Sequence, residues 1–210
     1  MKKTFVLVVL FILPIVAYLF FASGVNNFGK LPTLTENVNE ISEFDGNAAL
    51  QDKITILGFL GSDVENVKGN AFNLNQKIYK RFYEFNDFQF VMVVPEGSEK
   101  KVKKLQRELG GFTDIQKWKF VYGNKTQIDT FFKSLKSDLE LDEYLGTPYV
   151  FIIDKDKNLR GRTDDEEVGT KYGFNSISVA DINNKMEDDV KIILAEYRLA
   201  LKKNSADRKK

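Results

Sequence analysis

A polar loop follows the apolar run Ile54–Leu60, and in it Ser62, Asp63, Glu65, Asn66 and Lys68 supply the groups this chain could use for chemistry. An apolar run bounded by turn residues and followed by an amphipathic segment reads as a buried strand feeding a helix. In α/β folds the crevice beyond the carboxyl end of such a strand is where ligands and reactive groups sit. One hydroxyl, two carboxylates, an amide and an ammonium can pair with charges or offer oxygens to a hard cation. Two residue types are missing: the 210 residues contain no Cys and no His. Their absence excludes disulfides, thiolate nucleophiles, Ser-His-Asp and Cys-His catalysis, and nearly all zinc and copper sites.

Each remaining group has a simpler reading beside the chemical one. Hard cations take about six oxygens, several from carboxylates, and no EF-hand pattern is present, so Asp63 and Glu65 read first as a solvated loop. Asp164, Asp165, Glu166 and Glu167 read as an exposed acidic loop at a sheet rim. Met92 and Met186 carry soft sulfur, yet both fall on apolar faces and read as core. Arg160 and Arg162 flank Gly161 and could grip a carboxylate or phosphate bidentately. Outward charges that keep an edge strand from pairing are the plainer account of them. Five basic residues on the helix after Ser98 read as a solvated face. No residue is assigned as catalytic, cofactor-binding or metal-ligating.

The elements that must hold these groups begin after an apolar N-terminal stretch. Lys2 and Lys3 precede Phe5–Ala22, interrupted only by Pro14. About 18 residues at ~1.5 Å each reach ~27 Å, enough to cross a hydrocarbon core. Leu19-Phe20-Phe21-Ala22-Ser23 is bulky where a cleavage site needs small residues, so residues 1–23 are read as an uncleaved anchor in preference to a signal peptide or a buried core helix. Residues 24–31 then form a tether, residues 32–203 the domain, and residues 204–210 a disordered basic tail. The lysine pair keeps the N-terminus cytoplasmic and puts the domain on the periplasmic, extracytoplasmic side of the cell membrane. A net charge of +1 shows no nucleic-acid footprint, and 43% hydrophobic residues suffice for a core.

Along the domain, Val38–Phe44 alternates imperfectly ahead of Asp45-Gly46 and predicts a small β element with a hairpin turn. Leu74, Ile78, Phe82 and Phe85 predict a helix over 71–86, and Phe88–Val94 a strand covered on both faces. Ser98 can cap a helix that turns Val102, Leu105 and Leu109 inward and ends at Gly110-Gly111. Trp118–Tyr122 predicts a strand, Ile128–Leu135 a helix, Tyr149–Ile153 and Leu159–Arg162 a terminal hairpin, and Ile182–Leu201 a long helix. Strands alternating with helices give an α/β fold: a central, mainly parallel sheet with an antiparallel edge hairpin, flanked by helices. This layout resembles the thioredoxin fold. No G-x-G-x-x-G follows any strand, which excludes the dinucleotide fingerprint.

Three segments in this order resemble the Sco/SenC family, the membrane-anchored, thioredoxin-fold copper chaperones of cytochrome oxidase assembly. KITILGFLG is similar to the strand ahead of that family's metal-binding loop, WKFVYGNKTQI to its Trp-x-Phe-x-x-Gly segment, and FIIDKDKNLRGR to its β hairpin. The likeness spans Lys30–Arg198. It implies a Cys-x-x-x-Cys pair and a distant His, but the matching stretches, Ser62–Lys68 and Tyr144–Pro148, hold neither. Leu145–Tyr149 instead resembles the Gly-Thr-Pro turn of other thioredoxin-like proteins, which implies a cis Thr147–Pro148 bond facing the loop. The resulting expectation is a binding or assembly factor of the cell envelope, without cofactor, that contacts another envelope or membrane protein. Alternatives are a carboxylate-dependent enzyme of unknown substrate and a copper chaperone with substitute ligands.

Overall fold

The computed structural model describes residues 9–16, 18 and 29–207. Residues 1–8, 17 and 19–28, which hold much of the expected anchor and tether, lie outside the described residues. Residues 9–16 and 18 are helical, and no helix among the described residues is long and apolar enough to cross a membrane.

The central sheet contains β1 (Thr33–Thr35), β2 (Ile54–Leu60), β3 (Phe88–Pro95), β4 (Trp118–Gly123), β5 (Gly146–Ile153), β6 (Leu159–Arg160) and β9 (Phe174–Asn175). Their order is β1-β6-β5-β2-β3-β4, with β9 beside β5, while β7 (Arg162–Asp165) and β8 (Gly169–Lys171) pair separately. β3 and β4 run parallel to β2; β5 is antiparallel to β2, β6 to β5 and β1 to β6. The sheet is therefore mixed, where a mainly parallel one was expected. A parallel neighbour needs a crossover that returns the chain to the same end of the sheet. After helix α3 (Lys125–Ser134) the link 135–145 climbs back along the sheet, so β5 starts opposite the end of β2, with Gly146 beside Leu60.

Both faces are covered, which is why β2 and β3 read as unbroken apolar runs. On β3, Phe88, Phe90, Met92 and Val94 point to one core; Val91 and Val93 point to the other. The first core takes Val64, Ala71 and Leu74 of α1 (Val64–Leu74), Val102, Leu105 and Leu109 of α2 (Glu99–Gly110), and Val190, Ile193 and Leu194 of α4 (Glu187–Asp207). The second takes Ile128, Phe131 and Phe132 of α3. Helix α1 continues through a π turn, Asn75–Tyr79, to Lys80–Phe82, and α4 is entered through Val179–Asp181 and a second π turn, Ile182–Met186.

Three local expectations change. Val38–Gly46 forms no strand: Val38, Ile41 and Phe44 are buried at a spacing of three, which suits successive turns, and Asp45 exchanges backbone hydrogen bonds with Tyr122 at 2.8 and 2.7 Å. The acidic stretch Asp164–Glu167 is the end of the β7–β8 hairpin, and Asp165 is buried because Lys185 reaches it at 2.9 Å. The backbone also stays helical through Asp207, so the expected tail begins as a continuation of α4.

Candidate functional site

The site is the turn joining β2 to α1. Gly61 adopts φ +67°, a region open to glycine at little cost, and an added Cβ would lie 2.7 Å from the Tyr144 carbonyl oxygen. This close approach lets the Ser62 N–H donate to that carbonyl at 2.9 Å. The two stretches that the resemblance pairs, Ser62–Lys68 and Tyr144–Pro148, therefore do lie against each other.

The expected loop is shorter than its sequence suggests. Because Val64 packs into the same core as Ala71 and Leu74, the helix begins there, and Glu65, Asn66 and Lys68 sit on its first turns. Asn66 Nδ2 donates to the Asp63 carboxylate at 2.7 Å. Glu65 pairs with Lys104 of α2 at 3.0 Å and with Lys68 at 3.7 Å, Lys68 reaches Glu108 of α2 at 3.3 Å, and Lys101 Nζ donates to the Ser62 carbonyl at 2.8 Å. Helix α2 thus clamps the turn with cations. The Lys104 hydrogen bond holds the Glu65 carboxyl below its ordinary range, which makes it a weak base and a poor proton donor at neutral pH.

Thr147 and Pro148 stand at the start of β5, and their peptide bond is trans, correcting the expected cis bond. Extended backbone before proline suits trans, and the missing N–H falls where the β2–β5 register slips between Gly58 and Leu60, so no ladder bond is lost. The Pro148 carbonyl accepts from both the Ser176 N–H at 2.9 Å and its hydroxyl at 2.5 Å, which ties β9 to this corner. The space among Thr147, Val67, Asn70 and Met92 is about 10 Å³, room for roughly one water.

Arg160 and Arg162 do grip carboxylates bidentately or in pairs, but the carboxylates belong to this chain. Arg160, whose side chain is 6% exposed, binds Asp154 at 2.9 Å, Glu196 at 2.8 Å and the Leu31 carbonyl. Arg162 holds both oxygens of Asp189 at 2.8 Å. Burial pushes the Asp189 carboxyl above its ordinary value, and the Arg162 guanidinium opposes that push. Met92 and Met186 are 1% and 0% exposed and lie in the core. Among the described residues no cluster of three acidic side chains could hold a metal ion. The sequence pattern places the cations Lys101 and Lys104, which fix the turn, only on a solvated face. Their three-residue spacing puts them on one side of α2, but nothing local says what that side meets.

No protein-family model matches this chain, and no curated protein matches it. Solved structures do. BsSco, described as a member of the Sco family of cytochrome c oxidase assembly proteins, aligns with a TM-score of 0.50 at 15% identity, over 76% of this chain and 96% of its own. The fold is Sco-like and thioredoxin-like. A Sco1/SenC family lipoprotein from Bacillus anthracis aligns at 18% identity and TM-score 0.49, over 78% of this chain and 99% of its own. The soluble domain of Sco1 from Bacillus subtilis aligns at 16% identity and TM-score 0.47, over 77% and 94%. At these identities the likeness is one of fold, and what the Sco-like scaffold does here has to be argued from its own residues.

Proposed function

We propose that this chain is a membrane-anchored binding or assembly factor that uses a Sco-like scaffold for surface contact and performs neither thiol redox nor copper chemistry. One observation carries the reading: the turn after β2 offers no thiolate or imidazole, and its charged groups are engaged with one another and with α2. A carboxylate enzyme needs two acids converging on a substrate with shifted proton affinities. Asp63 faces Asn66 while Glu65 faces Lys104, so the two carboxylates are committed apart. Substitute copper ligation by Met92 and Met186 would require sulfur atoms that are enclosed in the core. Phe5–Ala22 serves as the anchor, and the partner is another envelope or membrane protein.

The test is site-directed photocrosslinking of the full chain in its own membranes. A photoreactive side chain at Tyr144, 47% exposed beside the turn, is expected to form a discrete adduct with a component of oxidase assembly. The same group at Lys103, on the exposed side of α2, is expected to form none. Adducts of equal yield from both positions, or none from Tyr144, would overturn the reading.

A further inference from the structure

A second concave surface lies around the corner from the turn, along β5. A cavity of about 240 Å³ opens among Leu139, Tyr149, Tyr172 and the β8–β9 segment. Lys171 and Asp181 line it, 3.0 Å apart with side chains only 8% and 10% exposed. Each cancels the other's charge, so the interior carries little net field. Val168 lines it and is 59% exposed, and Ile177 and Val179, the chain neighbours of the lining residue Ser178, are 62% and 46% exposed. Large aliphatic side chains left this exposed within a few residues of one concavity point to an interaction surface.

Beyond the Lys171–Asp181 pair, the charges that line it are acidic. Asp138 and Glu167 line the cavity, and exposed Glu140 and Glu166 follow or precede them in sequence. Among the described residues Glu167 pairs with Lys185, while Asp138, Glu140 and Glu166 have no ion-pair partner. Such a rim favours a cationic occupant, and the exposed aliphatic side chains with the cavity favour one that also brings an apolar side chain. The cavity adjoins the turn through β9, since Ser176 bonds Pro148 and Asn175 lines the cavity.

We propose that this cavity docks a basic polypeptide segment of the partner protein, its Lys or Arg side chains meeting the acidic rim and an aliphatic or aromatic side chain entering between Val168 and Tyr149. The inference rests on the binding reading above and names the surface and the chemistry of the partner.

The Cys-free chain allows a direct test. A single cysteine at Ile177 (I177C) in the full-length chain in detergent micelles is labelled with a polarity-sensitive dye, and a 12-residue Lys- and Leu-rich peptide is the probe. The expected result is a saturable blue shift that weakens about threefold to tenfold in the D138N/E166Q background and at raised salt, and weakens likewise with the neutral V168N. All of these positions are exposed, so the variants keep the fold. An equal shift from a dye at K103C, an equal response to a Glu- and Leu-rich peptide, or an unchanged affinity in D138N/E166Q would overturn the proposal. A shift produced by unlabelled chain alone would overturn it as well, assigning the surface to a second copy. If the peptide fails here while Tyr144 still crosslinks in membranes, this surface is wrong and the binding reading stands; if both fail, both go.

Discussion

Asn75 is fully buried in the π turn of α1, and neither its amide nitrogen nor its oxygen finds a partner among the described residues. A buried, unpaired amide costs roughly 1–3 kcal/mol, so Asn75→Leu is expected to raise stability by about 1–2 kcal/mol, read as a higher urea midpoint at unchanged slope. An unchanged or lower midpoint would show that the amide is satisfied in solution. Arg160 has the opposite character. It joins Asp154, Glu196 and the Leu31 carbonyl, and removing it leaves the buried Asp154 carboxylate without its cation, held only by N–H groups of Asp156 and Asn158. Arg160→Met is expected to cost about 3–5 kcal/mol, and Arg160→Lys to recover only part, because an ammonium cannot serve three acceptors in fixed fork geometry. In the sequence Arg160 could be singled out as a strand arginine able to bind carboxylates. Its partners could not be named, since Glu196 lies 36 residues further on in another element.

The β7–β8 hairpin is held to the C-terminal helical segment by ion pairs: Arg162 with Asp189, Lys185 with Asp165, and Lys171 with Asp181. Burial pushes the Asp165 carboxyl up, but Lys185 and the backbone N–H groups of Glu167 and Val168 bring it to a net value below ordinary. Asp87 is likewise held low, chiefly by its hydrogen bond from Lys155. A carboxyl lowered in the folded state contributes stability that is present above its unfolded value and lost as pH falls through its folded value. Thermal stability is therefore expected to fall below about pH 4, and the slope to flatten in D165N. A melting temperature as high at pH 3 as at pH 6 would contradict this. Asp189, raised by burial, works in the other direction. At the turn, Gly61→Ala forces a side chain against the Tyr144 carbonyl at positive φ; a loss of about 1–3 kcal/mol is expected, measured by urea unfolding. Helices α2 and α4 were legible from apolar spacing alone. The segment Val38–Phe44 was not, because a spacing of three serves turns as well as the loose alternation of a strand.

Across the whole molecule, β2 and β3 could be read from the sequence because burial on both faces removes polar alternation. The direction of β5 could not, since nothing in the link 135–145 states at which end of the sheet it returns. The family likeness implied that the Gly-Thr-Pro turn within Leu145–Tyr149 faces the loop Ser62–Lys68; the structure adds Gly61 as the point of closest approach and the backbone hydrogen bond from Ser62 to Tyr144. What neither strand pattern nor likeness disclosed is how fully the turn is tied down by α2. A scaffold with that turn filled by ion pairs, lacking every sulfur and imidazole donor outside three Met residues, has few groups for soft-metal transfer, which is the ground of the contact function proposed above. Competition for Cu(I) tests this most directly: the full chain in detergent is titrated against a coloured Cu(I) chelator under reducing conditions. The chelator's absorbance is expected to stay unchanged by one equivalent of protein. Withdrawal of a stoichiometric equivalent of copper from the chelator would contradict it.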